Sequence, residues 1–224
     1  MSDLIDTTEM YLKTVYELEE DGVTPLRARI VERLDHSGPT VSQTVARMER
    51  DGLIHVAPDR SLELTDTGRH RATEVVRKHR LAERLLLDVI RLDRNLVHQE
   101  ACRWEHVMSD DVEARLLAVL DDPGVDPFGN PIPEAGDQRP APAADEMSVE
   151  EARRRGVQRG VIKRLGEPVQ AREEVFTEIN KAGIAPGVSV NISTDAHGVS
   201  VITDAGARIF LTDAIARHAF IFRG

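Results

Sequence analysis

Through the first fifty residues, apolar side chains recur three and four positions apart, a period that predicts helices rather than strands. Asp6-Thr7-Thr8-Glu9 reads as a capping box, with a side chain at the N-cap and Glu at N3, ahead of a helix carrying Met10, Val15 and Leu18. Gly22 ends that helix, and Pro25 stands just before a second one that runs to about Leu34. After the turn His36-Ser37-Gly38-Pro39, with Pro at a helix start, a third helix spans Thr40 to Arg50. Val41, Val45 and Met48 mark its apolar face; Thr40, Gln43, Thr44 and Arg47 mark the other. Asp51-Gly52 closes it. Leu53-Ile54-His55-Val56 and Ser61-Leu62-Glu63-Leu64 flank Ala57-Pro58-Asp59-Arg60 and predict a short hairpin. Helices followed by a hairpin make a winged helix-turn-helix. The small, polar, Arg-tipped face of its third helix suits a DNA major groove.

Thr65-Asp66-Thr67-Gly68 starts a long helix through Ile90, and further helices hold residues 98–106 and about Asp110 to Leu120. Leu81, Leu85, Leu86, Val89, Leu116, Leu117 and Leu120 supply apolar surface enough for a subunit interface or, equally, for an internal core. From Asp121 to about Asp145 the chain is rich in Pro, Ala, Gly and Asp, which predicts a loop and then a linker. Beyond Met147 come short strand-like runs, Val161-Ile162-Lys163, Val188 to Ile192, Val199 to Ile202 and Ala207 to Leu211, interrupted by a helix from Arg172 to Lys181. They predict a small, mainly β third domain. There is no internal repeat.

With 224 residues, 41% hydrophobic and 30% charged, the composition is that of an ordinary globular protein of one large domain or several small ones. No run approaches the ~18 apolar residues that span a bilayer. The acidic start, Met1-Ser2-Asp3-Leu4-Ile5-Asp6, predicts no signal peptide. One cysteine rules out an internal disulfide framework and fits a reducing compartment, so the expected location is cytoplasmic, with no membrane partner. The net charge of −10 argues against a nucleic-acid partner only on average. Glu17, Glu19, Glu20 and Asp21 form an acidic knot, whereas Arg27, Arg29, Arg33, Arg47, Arg50 and Arg60 gather in a segment rich in Ser, Thr and Gln.

The densest chemistry lies in His98-Gln99-Glu100-Ala101-Cys102-Arg103-Trp104-Glu105-His106. On a helix Cys102 sits beside Glu105 and His106, with His98 one turn back on the same stripe. Sulfur, oxygen and nitrogen donors together suit a borderline transition metal. His79 and Glu83 make a second pair four residues apart. A metallohydrolase using Glu105 or Glu83 as base is the rival reading, but no His-Glu-x-x-His pair is present and catalytic sites keep an open position. An interaction module built on the small β domain is another.

Over nearly its whole length the chain resembles the diphtheria toxin repressor family of iron-dependent regulators. The resemblance is carried by Asp6-Thr7-Thr8-Glu9-Met10-Tyr11-Leu12, the run Ser37 to Val45, the run Lys78 to Leu86, Glu100 to His106 and the loop Pro127 to Pro133. It implies a fold that is mainly α with small β parts: a winged helix-turn-helix (1–73), a helical metal-binding and dimerisation domain (74–140), a linker (141–150) and an SH3-like β-barrel domain (151–224). It also implies an Fe2+-activated homodimeric repressor, two dimers per palindromic DNA operator of iron-uptake and iron-homeostasis genes, and two metal sites per subunit. Met10, Cys102, Glu105 and His106 would form the primary site. His79, Glu83 and His98 would form the ancillary one, completed by Glu167 and Gln170. Pro39 and Gln43 would meet base edges, and Arg27, Ser37, Thr40, Ser42, Arg47, Arg50 and Arg60 would hold phosphates. In the family, metal also reorders the turn ahead of Met10, here Leu4 to Asp6, and Arg80, a hydroxyl residue and Asn130 can hold an anion. Here the hydroxyl position is Asp126, whose charge would repel one. The thioether and thiol are soft donors and favour ferrous iron over manganous ion, with Co2+, Ni2+, Mn2+ and Zn2+ expected to act in vitro. A manganese-responsive regulator of the same superfamily is the alternative.

Overall fold

The computed structural model describes residues 6–121, 123–134, 142–195 and 197–222. The chain divides into two compact units. One comprises Met1–Ala82, Ala101–Gly124 and Ile132–Ala141; the other comprises Glu83–Glu100, Val125–Pro131 and Pro142–Gly224.

In the first unit, α1 (Thr7–Glu20) begins where the carboxylate of Asp6 accepts the backbone N–H groups of Thr8 and Glu9, at 2.7 and 3.3 Å. Helix α2 (Arg27–Leu34) leads to α3 (Gly38–Arg50), which starts two residues earlier than expected from Thr40. Ser37 caps it and Pro39 fits its first turn, where no intrahelical donor is needed. Strands β1 (Ile54–Val56) and β2 (Leu62–Leu64) pair antiparallel, Ile54 opposite Leu64, as the wing. Tyr11, Leu12 and Val15 of α1, Ile30, the Val41–Val45–Met48 stripe of α3, and Ile54 and Leu62 of the wing form one buried cluster with Ala72 and Val76 of α4 (Asp66–Arg84). Gly68 lets α4 begin hard against the wing, because a Cβ there would collide with the carbonyl oxygen of Leu53.

Every described side chain from Tyr11 to Glu20 is buried, charged ones included. The acidic knot is therefore internal. Arg69 and Arg80 of α4 each grip a carboxylate with two nitrogens, Glu19 at 2.8 and 3.3 Å and Glu20 at 2.8 and 2.6 Å, while Arg33 reaches Glu17 at 3.2 Å.

The long helix does not run unchanged to Ile90. Past Arg84 it widens into a single i→i+5 turn, Leu85–Val89, closed by the Ile90 N–H on the Leu85 carbonyl at 3.0 Å. Next come α5 (Arg94–Trp104) and α6 (Asp110–Val119). Helix α5 stops short of the expected His106, so Glu105 and His106 occupy the turn beyond it; the Glu105 N–H still bonds the Ala101 carbonyl at 3.0 Å. Only part of the expected apolar surface is internal core. Leu81, Leu86 and Leu116 are buried, whereas Val89 stays exposed, as do Val107, Val112 and Val119.

The second unit carries a six-stranded antiparallel, SH3-like sheet in the order β3-β8-β4-β5-β6-β7. Its elements are β3 (Glu146–Ser148), α7 (Val149–Arg154), β4 (Arg159–Leu165), α8 (Glu167–Gln170), α9 (Glu173–Lys181), β5 (Ser189–Asp195), β6 (Gly198–Thr203), β7 (Arg208–Thr212), α10 (Asp213–Ala216) and β8 (Ala219–Phe222). Here the expected linker, 141–150, is corrected: residues 146–148 are a sheet strand and Val149 opens a helix. Part of the Pro-rich stretch, residues 135–141, lies outside the described residues. In the loop from Val125 to Pro131, Gly129 takes φ 90° and passes so close to the Lys163 carbonyl that a Cβ would not fit. No described helix is long and apolar enough to cross a membrane.

Glu146 explains why so short a segment holds its place. It is buried, and it accepts Arg164 Nε and Nη2 of β4 at 3.1 and 2.8 Å, while the guanidinium lies 3.5 Å over the Phe220 ring of β8. Truncating one member of such a pair strands the other charge in the interior. Glu146→Ala is expected to cost about 3–5 kcal/mol of unfolding free energy in urea titrations followed by far-UV circular dichroism. A loss under about 1 kcal/mol would mean that Arg164 does not depend on this partner.

Candidate metal centre and nucleic-acid interface

The two sites of interest begin on the same short helix. Glu9, Met10 and Lys13 lie along the first turns of α1. Glu9, at N3 of the capping box, has its Oε2 2.7 Å from His106 Nδ1. Lys13 Nζ donates to Glu105 Oε2 at 2.7 Å. Met10, half-buried, lies between them in the stretch of α1 that the turn after α5 meets.

That turn gathers donors. Glu105 Oε2 also meets His79 Nδ1 of α4 at 2.6 Å, and Glu105 Oε1 lies 3.3 Å from His106 Nε2. His79 and the half-buried Cys102 offer ligand atoms within 4.8 Å of each other. His79, expected in the ancillary site, thus stands with Cys102, Glu105 and His106 of the primary one. Thiol, imidazole and carboxylate at this spacing, with a thioether on the adjoining helix, fit a borderline divalent ion.

In the second unit His98, one turn before Cys102 on α5, meets Glu83 with Nδ1 to Oε1 at 3.3 Å, both buried. Glu167 and Gln170 lie buried together on α8. Gln170 donates Nε2 to the Leu165 carbonyl at 2.9 Å, but its Oε1 accepts no hydrogen bond among the described residues. A buried carbonyl oxygen in that state suits a cation.

The donors an anion would need are committed elsewhere. Arg80 holds Glu20, and Asn130 gives its backbone N–H and Nδ2 to Asp126, at 2.9 and 2.8 Å. Asp126 is buried and also accepts the Phe128 N–H at 2.7 Å. Burial depresses the Arg94 guanidinium, opposed by the carboxylates of Asp126 and Glu83.

Elsewhere in the first unit, α3 turns Pro39, Thr40, Ser42, Gln43, Arg47 and Arg50 outward while Val41, Val45 and Met48 face in. Arg27 is half-buried at the start of α2. Arg29 is engaged by Glu32 at 2.5 Å and Arg33 by Glu17, so both are paired within the chain. Arg47 Nη2 reaches Thr8 Oγ1 at 3.3 Å and ties α3 to the first turn of α1. At the wing tip, Arg60 adopts φ 71° and points its charge outward. Hydrogen bonds from Ser61 Oγ and N hold the neighbouring Asp59 carboxyl below the usual range. Of the turn Leu4 to Asp6, Leu4 and Ile5 lie outside the described residues, and Asp6 serves as the α1 cap.

Glu9 and Lys13 were missed by sequence reasoning as partners of the metal donors. Their only signal is their position one residue before and three after Met10.

Residues 3–62 match the family model described as iron dependent repressor, N-terminal DNA binding domain. Residues 65–134 match iron dependent repressor, metal binding and dimerisation domain. The chain is 55% identical to the diphtheria toxin repressor of Corynebacterium glutamicum over 98% of its own length and 96% of the relative's. It is 53% identical to the iron-dependent repressor IdeR of Mycobacterium tuberculosis, over 98% and 97%. Among solved structures, a manganese-dependent transcriptional repressor in complex with manganese superposes with TM-score 0.79 at 27% identity, covering 97% of this chain and all of that one (100%).

The α3 start is open to a direct test. Ser37 Oγ accepts the Thr40 N–H at 3.3 Å. Ser37→Ala is expected to lower unfolding free energy by about 1 kcal/mol in urea titrations; an unchanged midpoint would show that the cap does not hold the helix.

Proposed function

We propose that this chain, which belongs to the iron-dependent repressor family, is an Fe2+-activated homodimer that represses transcription from palindromic operators. The family makes it a metal-responsive transcriptional repressor and not an enzyme. The observation that carries the iron reading is the convergence of Cys102, Glu105 and His106 with His79, beside the helix that bears Met10. Sulfur donors from Met10 and Cys102 favour ferrous iron over the harder manganous ion. Met10, Cys102, Glu105 and His106 serve as the primary ligands; His79, Glu83 and His98 with Glu167 and Gln170 serve as the second set. The reading keeps the domains 1–73 and 74–140, joins the strand at 146–148 and the helix from Val149 to the domain 151–224, and places the protein in the cytoplasm with its operator.

Bound at the primary set, a divalent ion supplies a charge that donors on separate helices must share. The chain's own residues do the rest. Met10 belongs to the DNA-binding part, whereas Cys102, Glu105 and His106 belong to the dimerising part. Holding them together favours one orientation of the two, and only that differential affinity shifts the population towards DNA binding. Arg47, through Thr8, links the same first turn of α1 to α3. On DNA, Pro39 and Gln43 meet base edges. Arg27, Ser37, Thr40, Ser42, Arg47, Arg50 and Arg60 hold phosphates, with two dimers per operator.

Anaerobic fluorescence anisotropy on labelled duplexes selected from genomic fragments tests this reading. Binding is expected to need Fe2+ and to reverse with chelator, and Cys102→Ala is expected to abolish the metal dependence without unfolding the protein. A Cys102→Ala variant with an unaltered iron response would refute the primary site, and a response to Mn2+ alone would favour a manganese regulator. Gln43→Ala should change sequence preference by about 1–3 kcal/mol at the contacted base. Arg50→Ala should weaken all duplexes alike and reduce the salt slope by about one. If both variants lower affinity by the same factor on every sequence, Gln43 does not read bases.

A further inference from the structure

One buried cation stands among the metal donors and is not itself a donor. Lys13 is 5% exposed, in a stretch of α1 whose side chains are all buried. Its Nζ lies 2.7 Å from Glu105 Oε2, the oxygen that also meets His79 Nδ1 at 2.6 Å, and 3.9 Å from Glu17 Oε1. An ammonium is a compact, strongly hydrated point charge, and withdrawing it from water is offset here by the two carboxylates it faces. Lys13 is three residues after Met10, so the thioether and the ammonium share one face of α1. Glu105 is therefore already occupied by a cation that the chain carries with it.

We propose that Lys13 is an internal competitor for the metal at Glu105, and that it sets the ion concentration at which the protein responds. The inference rests on Glu105 being a metal ligand, as proposed above. A divalent ion on Glu105 would share one carboxylate with the ammonium at a separation of a few ångströms. Either Lys13 gives up its bond to Glu105 or two like charges remain close, and both weaken binding. Since a like charge within about 4–6 Å commonly changes a proton affinity tenfold or more, a doubly charged ion should be affected at least as strongly.

The test measures cobalt(II) affinity directly, by chelator competition with full-length protein, using the thiolate-to-cobalt absorption band to report Cys102 ligation. Lys13→Met, which keeps length and removes charge, is expected to bind Co2+ about tenfold tighter or more, whereas Lys13→Arg, which keeps the charge, stays within about threefold of the unmodified protein. Lys13→Gln retains a donor for Glu105 and serves if the Met variant fails to fold; it too should tighten binding. Equal or weaker Co2+ affinity in the folded neutral variant overturns the competition while leaving the metal site standing. Absence of the thiolate band in the unmodified protein overturns the primary site itself, and the competition with it.

Discussion

The carboxylate of Glu105 is the contact on which the first unit's chemistry depends. Lys13 comes to it from α1, His79 from α4, and His106 from the same turn. It is buried, so its charge must be met by protein groups. A group that several elements must reach at once is sensitive to how those elements are placed. Conversely, whatever changes its partners changes their placement. That reciprocity is what a metal-responsive repressor needs from a ligand site.

Charge is distributed to the same end. The overall balance of −10 would suggest a protein that avoids nucleic acid, yet much of α1's acidity never faces solvent. Glu17, Glu19 and Glu20 are matched by Arg33, Arg69 and Arg80 inside the first unit. With those carboxylates internal, the exposed face of α3 and the wing tip keep Arg47, Arg50 and Arg60 as local charges, and screening at physiological salt makes such local charges decisive over distances of about 8 Å. The second unit uses the same device for stability: Glu146 and Arg164 tie an edge strand of three residues to the sheet.

Helix periodicity, capping residues and turn chemistry made α1 to α3, the wing and α6 legible to within a few residues, because each is specified by neighbours in the chain. The donor-rich run from His98 to His106 was equally visible, although its last two members lie in the turn beyond α5. Strands β3 and β8 were not. Each is only three or four residues long and exists because the other pairs with it, Met147 opposite Ile221, across a separation that no local pattern reports.

The amino-acid sequence by itself determined the class of chemistry: which donors exist, which face of α3 is polar, and the family those residues belong to. Tertiary structure alone decided how the charges are spent. It sent Glu9 to His106, placed Lys13 on Glu105, and used Asp126 to occupy donors of Asn130. The reason is physical. Periodicity tells which side of an element is apolar, but a buried charge is satisfied by whatever opposite charge or donor the packing of distant segments brings within about 3 Å.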